Sequence, residues 1–138
     1  MPDKSIFLDS NIIIYAYSGT DTKKAEIARK IMASGNVVIS AQVINEFVSV
    51  TLRKLRQPLN AIEAAVREFL PFTRTVPISA ETSLRALHIA SEYRFAWYDS
   101  LIIASAIEND CDLLISEDLQ HEQVIEESLT IINPFRIE

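Results

Sequence analysis

Apolar residues fall along this chain in two patterns that alternate. Short strand-like runs stand at 5–8, 36–39, 73–76, 113–115 and 130–132. Longer stretches with apolar residues at helical spacing lie between them, roughly at 22–33, 41–55, 60–70, 79–93 and 98–109. A continuous apolar run of this length suits a strand buried on both faces, and such strands alternating with helices make a parallel sheet covered on both sides. Breakers agree with these boundaries. Pro58, Pro71, Pro77 and Pro134 sit where elements should end, and the only glycines are Gly19 and Gly35. No repeat, low-complexity tract or linker interrupts the pattern, so residues 1–138 are expected to form one α/β domain.

Bulk composition narrows the class. At 138 residues, 49% of them hydrophobic, the chain can bury a core unaided. Cys111 is the only cysteine, which excludes an intramolecular disulfide and a cysteine-based zinc site; a small buried apolar role is expected. The start, Met1-Pro2-Asp3-Lys4, lacks the charge pattern and apolar length of a signal peptide. No apolar run approaches the roughly 20 residues of a membrane span. A cytoplasmic location is the expectation.

Charge changes the picture only through its distribution. The net charge of −6 disfavours a nucleic-acid partner. Yet residues 23–94 hold eleven Lys or Arg against six Asp or Glu, whereas residues 108–138 hold one Arg against nine acids. That asymmetry allows a basic face beside an acidic end, and equally allows ordinary solvated helix faces.

Four acids stand at strand ends or helix starts: Asp9, Glu46, Asp99 and Asp118. Asp9 closes the run Ile6-Phe7-Leu8 and heads Asp9-Ser10-Asn11. All three of these cap helices well, but a cap needs only one, which frees the others. Glu46 shares a polar stripe with Gln42, Asn45, Ser49 and Arg53, and a solvent-facing role competes with a site role. Asp99 lies on the line of Ile102, Ile103 and Ala106; a carboxylate on an apolar face is costly unless it caps, pairs or binds a cation. Asp118 follows Ser116-Glu117 after a buried-looking strand. Both acids suit a first helical turn, so which one points inward is open at this point.

An alternating fold would bring such acids to one sheet edge, where open α/β sheets bind ligands if strands 1 and 4 are neighbours. Gathered carboxylates repel one another and call for a cation. The cation suited to oxygen donors is Mg2+ or Mn2+, one ion or two, and the chemistry it serves is phosphodiester hydrolysis. Other groups rank lower. His88 and His121 suit structural or surface roles. Trp97 and Tyr98 suit the core or the rim, with base stacking a lesser option. Arg53 is a phosphate contact or a surface residue. Tyr15, Tyr17 and region 41–70 are ordinary core and surface or a partner groove. The phosphate-binding loops G-x-x-x-x-G-K-[ST] and G-x-G-x-x-G and the G-x-S-x-G elbow are all absent.

Four fragments in order carry a resemblance: Phe7-Leu8-Asp9-Ser10-Asn11-Ile12; Ile39-Ser40-Ala41-Gln42-Val43-Ile44-Asn45-Glu46-Phe47; Trp97-Tyr98-Asp99-Ser100-Leu101-Ile102; and Leu114-Ile115-Ser116-Glu117-Asp118-Leu119-Gln120-His121. Asn133-Pro134-Phe135 closes the match. Nearly end to end, the chain resembles PIN-domain ribonucleases, and among them the VapC-like toxins of toxin–antitoxin modules. The resemblance implies a three-layer α/β/α sandwich with a parallel sheet of about five strands in the order 3-2-1-4-5. It implies that Asp9, Glu46, Asp99 and Asp118 form an acidic quartet, supported by Asn11 and Ser116. It further implies Mg2+- or Mn2+-dependent endoribonuclease activity, homodimerisation and inhibition by an antitoxin. Within that picture Asp9, Asp99 and Asp118 hold the metal, while Glu46 orients a water or holds a weaker second ion. One departure stands out: family members often carry Gly after the Gln-His pair, and this chain has Glu122. The rival expectations are a non-catalytic PIN-fold module that binds RNA or protein, a phosphatase with Asp9 as nucleophile, and a DNA nuclease. Against the phosphatase, Asn11 stands where a second Asp is usual.

Overall fold

The computed structural model describes residues 4–136. Met1, Pro2 and Asp3, expected to lead directly into the first strand, lie outside the described residues. The elements in order are β1 (Ile6–Leu8), α1 (Ser10–Ser18), α2 (Thr22–Met32), β2 (Val37–Ser40), α3 (Ala41–Arg53) and α4 (Leu59–Phe69). A 3-10 turn at Leu70–Phe72 follows, then β3 (Arg74–Val76), α5 (Ala80–Tyr93), α6 (Trp97–Glu108), β4 (Leu113–Ile115), β5 (Val124–Ile125) and β6 (Leu129–Ile132).

The strands form one sheet in the order β3-β2-β1-β4-β6-β5. The first five of these are parallel and reproduce the expected order, β6 being the fifth predicted strand. The sixth, β5, was not anticipated; it pairs antiparallel on the edge with β6. Its two residues are too few for any periodicity to register. Helices pack in two groups, α1 with α2 and α3 and α3 with α4, and separately α5 with α6. The sheet lies between them, giving the three-layer sandwich.

Local chemistry explains the helix starts. Asp21, Ser40 and Ser79 accept hydrogen bonds from the main-chain N–H of Lys24, Val43 and Thr82 at α2, α3 and α5. Ser79 and Thr82 complete a reciprocal capping box. The helix α1 was foreseen only as a capped start at Asp9. It follows β1 with no loop, and its apolar Ile12-Ile13-Ile14 reads equally well as a strand. It stops at Gly19, whose φ of 69° is the left-handed conformation that glycine takes without strain.

The core lies on both faces of β1, β2 and β4. Phe7, Leu8, Ile39 and Leu114 are fully buried there, with Ile12, Ile13, Ile102 and Ile103 packed on them. Helix α6 is buried from Ser100 through Ala106, as a helix apolar on all sides must be. Tyr17, Phe47 and Phe69 form an aromatic cluster, with Phe47 and Phe69 edge to face at 5.4 Å. Cys111 is buried, and burial pushes its thiol pKa up, in keeping with an apolar role. Among the described residues, no helix is long and apolar enough to cross a membrane.

Candidate active site

Strands β1 and β4 are parallel neighbours, with Leu8 opposite Ile115. The chain runs from β1 towards β3 on one side and resumes with β4 on the other, so strand order reverses between β1 and β4. That is where an open α/β sheet leaves a crevice beyond its carboxyl ends. Asp9 and Ser116 are the residues that step off these two strands.

A hydrogen-bonded frame fixes them. The Ser116 hydroxyl donates to Asp9 Oδ2 at 2.8 Å and accepts from the Asp118 N–H at 3.2 Å. The Ser10 N–H donates to Asp9 Oδ1 at 2.7 Å. The Asn11 amide donates to Asp118 Oδ2 at 2.9 Å, and its carbonyl accepts from the Glu117 N–H at 3.4 Å. Asp9-Ser10-Asn11 therefore does more than cap α1: its side chains knit β1 to the turn after β4.

The four acids come together electrostatically. Asp9 is only 5% exposed. Burial raises its pKa to about 6, against the pull of Ser116 and Ser10 and with help from the charges of Asp99 and Asp118. Burial likewise raises Glu46, on α3, to about 7, with the charges of Asp9 and Asp99 adding to it and the Gln42 and Ser10 side chains opposing. Asp99, in the first turn of α6, is raised by burial and then by Asp118. Glu46 thus turns into the crevice rather than to solvent.

This arrangement suits a hard divalent cation. All four groups offer only carboxylate oxygens, the donors Mg2+ and Mn2+ prefer. Glu46 Oε1 is buried without a hydrogen-bond partner, the condition of an atom that awaits a cation or a proton. Among the described residues, no three Asp, Glu, His or Cys side chains already form a cage.

Glu117 and Asp118 separate here. Glu117 turns away from the quartet into an ion pair with Lys24 of α2 and accepts the Tyr15 hydroxyl at 2.6 Å. Burial opposes its charge, but the hydrogen bonds from Lys24 and Tyr15 prevail and lower its pKa. The Lys24 ammonium also lies 4.8 Å from the Tyr15 ring centre and 5.1 Å from that of Phe135. Asp118 is left to face Asn11 and the site. Lys24 and Tyr15 carried no sequence signal as a pair with Glu117, since the partners lie 93 and 102 residues away.

The remaining groups fall outside this cluster. His121 accepts the Asn133 N–H at 2.9 Å through Nδ1 and so supports the main chain. His88 is exposed on α5 and pairs with Glu92 at 2.8 Å. Trp97 and Tyr98 are at the exposed rim beside Asp99. Arg53 lines the same groove as Glu46.

The family model of the PIN domain matches residues 6–127. The chain belongs to the PIN domain family. No curated sequence matches it significantly. Solved structures with the same fold include a toxin–antitoxin complex from Klebsiella pneumoniae, 24% identical, covering 96% of this PIN domain and 100% of that chain at a TM-score of 0.71. FitAcB from Neisseria gonorrhoeae is 18% identical, covers 96% and 99%, and also reaches 0.71. VapC20 from Mycobacterium tuberculosis, described as a toxin that cleaves the sarcin-ricin loop, is 17% identical, covers 80% and 87%, and reaches 0.65.

Proposed function

We propose that this PIN domain is a divalent-metal-dependent endoribonuclease, the toxin of a toxin–antitoxin module, and that residues 1–138 act as one nuclease domain in the cytoplasm. The observation that carries this reading is the carboxylate cluster at the β1–β4 crevice, in which Asp9 is buried and Glu46 Oε1 has no hydrogen-bond partner. Similarity in fold to VapC20 and to toxin–antitoxin complexes supports RNA as the substrate and a separately encoded antitoxin as the partner. A homodimer belongs to the same proposal.

In this reading Asp9, Asp99 and Asp118 hold Mg2+ or Mn2+, directly or through water. When bound, the ion neutralises charge on the phosphate and lowers the pKa of water. Ser116 and the Ser10 N–H keep Asp9 in place, and Asn11 does the same for Asp118. Glu46 Oε1 has no other partner and is positioned to take a proton from the attacking water or to help hold a second ion. In-line attack at phosphorus leaves a 5′-phosphate and a 3′-hydroxyl.

The test is cleavage of total RNA by purified, antitoxin-free protein in Mg2+, Mn2+ or EDTA, alongside Asp9→Asn. Discrete metal-dependent products that vanish in the variant are expected. Products that persist in EDTA or in Asp9→Asn would rule the mechanism out. Absence of both cleavage and metal binding would favour the inert binding module instead.

A further inference from the structure

A groove of about 770 Å³ opens from Glu46 along α3. Its walls include Ser49 and Arg53 from α3, Ile78 from the segment after β3, and Tyr98 and Leu101 from the start of α6. Glu46 and Arg53 are seven residues apart on one helix, about 10 Å at 1.5 Å per residue. The groove therefore runs from Glu46, one of the four acids, to a cation about 10 Å along the helix.

Its two ends differ in chemistry. Tyr98, in the first turn of α6, is 62% exposed. The Gln42 amide donates to the Tyr98 carbonyl at 3.5 Å, tying the Tyr98 backbone to α3. Buried Leu101 and partly buried Ile78 line the same groove. An exposed aromatic ring and apolar side chains thus share the groove. At the far end Arg53 is exposed, and among the described residues it forms no ion pair. The dipole of α3 favours cations at its carboxyl end. It does not explain why Arg53 shares a groove with Glu46 and an exposed ring. A strand with flat bases and an anionic backbone matches both ends at once.

Resting on the nuclease reading, we propose that this groove is the seat of the RNA strand flanking the scissile phosphate, with Tyr98 stacking an unpaired base and Arg53 holding a backbone phosphate. It follows that the substrate is single-stranded at this point, because a base within a duplex cannot reach the Tyr98 ring.

Binding is measured by fluorescence anisotropy in EDTA at low ionic strength, so that no cleavage intervenes. The probes are a labelled single-stranded RNA of random sequence and an abasic strand of the same length. Tyr98→Ala should weaken binding of the RNA by roughly tenfold and leave the abasic strand unaffected, while Tyr98→Phe should match wild type. Arg53→Gln should weaken both probes and lower the slope of log affinity against log salt by about one, with Arg53→Lys retaining it. Unchanged affinities, or equal losses on both probes in Tyr98→Ala, overturn the subsite. Equal losses accompanied by a change of mass in light scattering assign Tyr98 to a protein interface and overturn it too. Wild-type cleavage of total RNA in Mn2+ is run in parallel. If it proceeds while the variants bind normally, only the subsite fails; if wild type neither binds nor cleaves RNA, both readings fail.

Discussion

A carboxylate as buried as Asp9 is tolerated because Ser116 and the Ser10 N–H both donate to it, yet those two bonds do not offset its burial. The rise from 3.8 to about 6 corresponds to roughly 3 kcal/mol once the group is fully ionised. The sign follows from proton uptake. The folded chain holds protons on Asp9 and Glu46 that the unfolded chain has released, so their stabilising contribution is complete below about pH 4. It is lost as pH rises through about 6 for Asp9 and about 7 for Glu46. Metal-free protein should therefore melt at a lower temperature near pH 8 than near pH 5.5, and Asp9→Asn should flatten that decline. A variant with the wild-type slope in EDTA would show that Asp9 is not the group responsible. The neighbouring acids allow a second contrast. Asp118→Asn should abolish cleavage. Glu117→Gln should keep most of it but lose about 1 kcal/mol of stability, because it weakens the partly exposed Lys24 pair. Comparable loss of turnover in both would mean that Glu117 also serves the chemistry.

Elements were legible where their apolar pattern was long enough to read. Among the described residues, the five parallel strands stood out as continuous apolar runs, and five of the six helices showed helical spacing. The strand order came from the resemblance, since no local pattern encodes which strands lie side by side. At α1 the sequence showed no more than a cap at Asp9, because three isoleucines directly after a strand suit helix and strand alike. Among the candidate site residues, Asp9 and Asp99 stood out because a carboxylate at the edge of an apolar run is conspicuous. Lys24 was not, because a lysine on an amphipathic helix looks solvated until a distant chain segment folds against it. The turn at Glu122 combines both lessons. Its φ of 69° lies in the left-handed region, where a glycine costs nothing and a glutamate is strained. Glu126 and Glu127, on the other side of β5, are left-handed as well. Glu122→Gly should raise stability by about 1 kcal/mol, after allowance for glycine's greater freedom when unfolded. Thermal melting checks this, and a lower melting temperature would mean that the Glu122 side chain contributes more than its backbone strain costs.

At the scale of the whole molecule, residues 9, 46, 99 and 118 meet only because β4 returns beside β1 and brings α6 with it. The unfolded chain scatters these acids, so a divalent ion that needs several of them binds the folded state alone. Such an ion stabilises by RT ln(1 + [L]/Kd), about 2.7 kcal/mol at a hundredfold excess over Kd. Repulsion acts in the opposite direction when the ion is removed: losing Asp99 then relieves Asp9 and Glu46, whose charges it opposes. The two effects predict a crossing of stabilities. In EDTA, Asp99→Asn should melt at or above the wild-type temperature. In saturating Mn2+, wild type should melt several degrees higher than it does in EDTA, and the variant should gain much less. Scanning calorimetry with and without Mn2+ on both proteins reads all four values. Equal gains in the two proteins would place the ion somewhere other than the quartet, and a metal-free variant well below wild type would mean that Asp99 is held by contacts stronger than the repulsion it suffers.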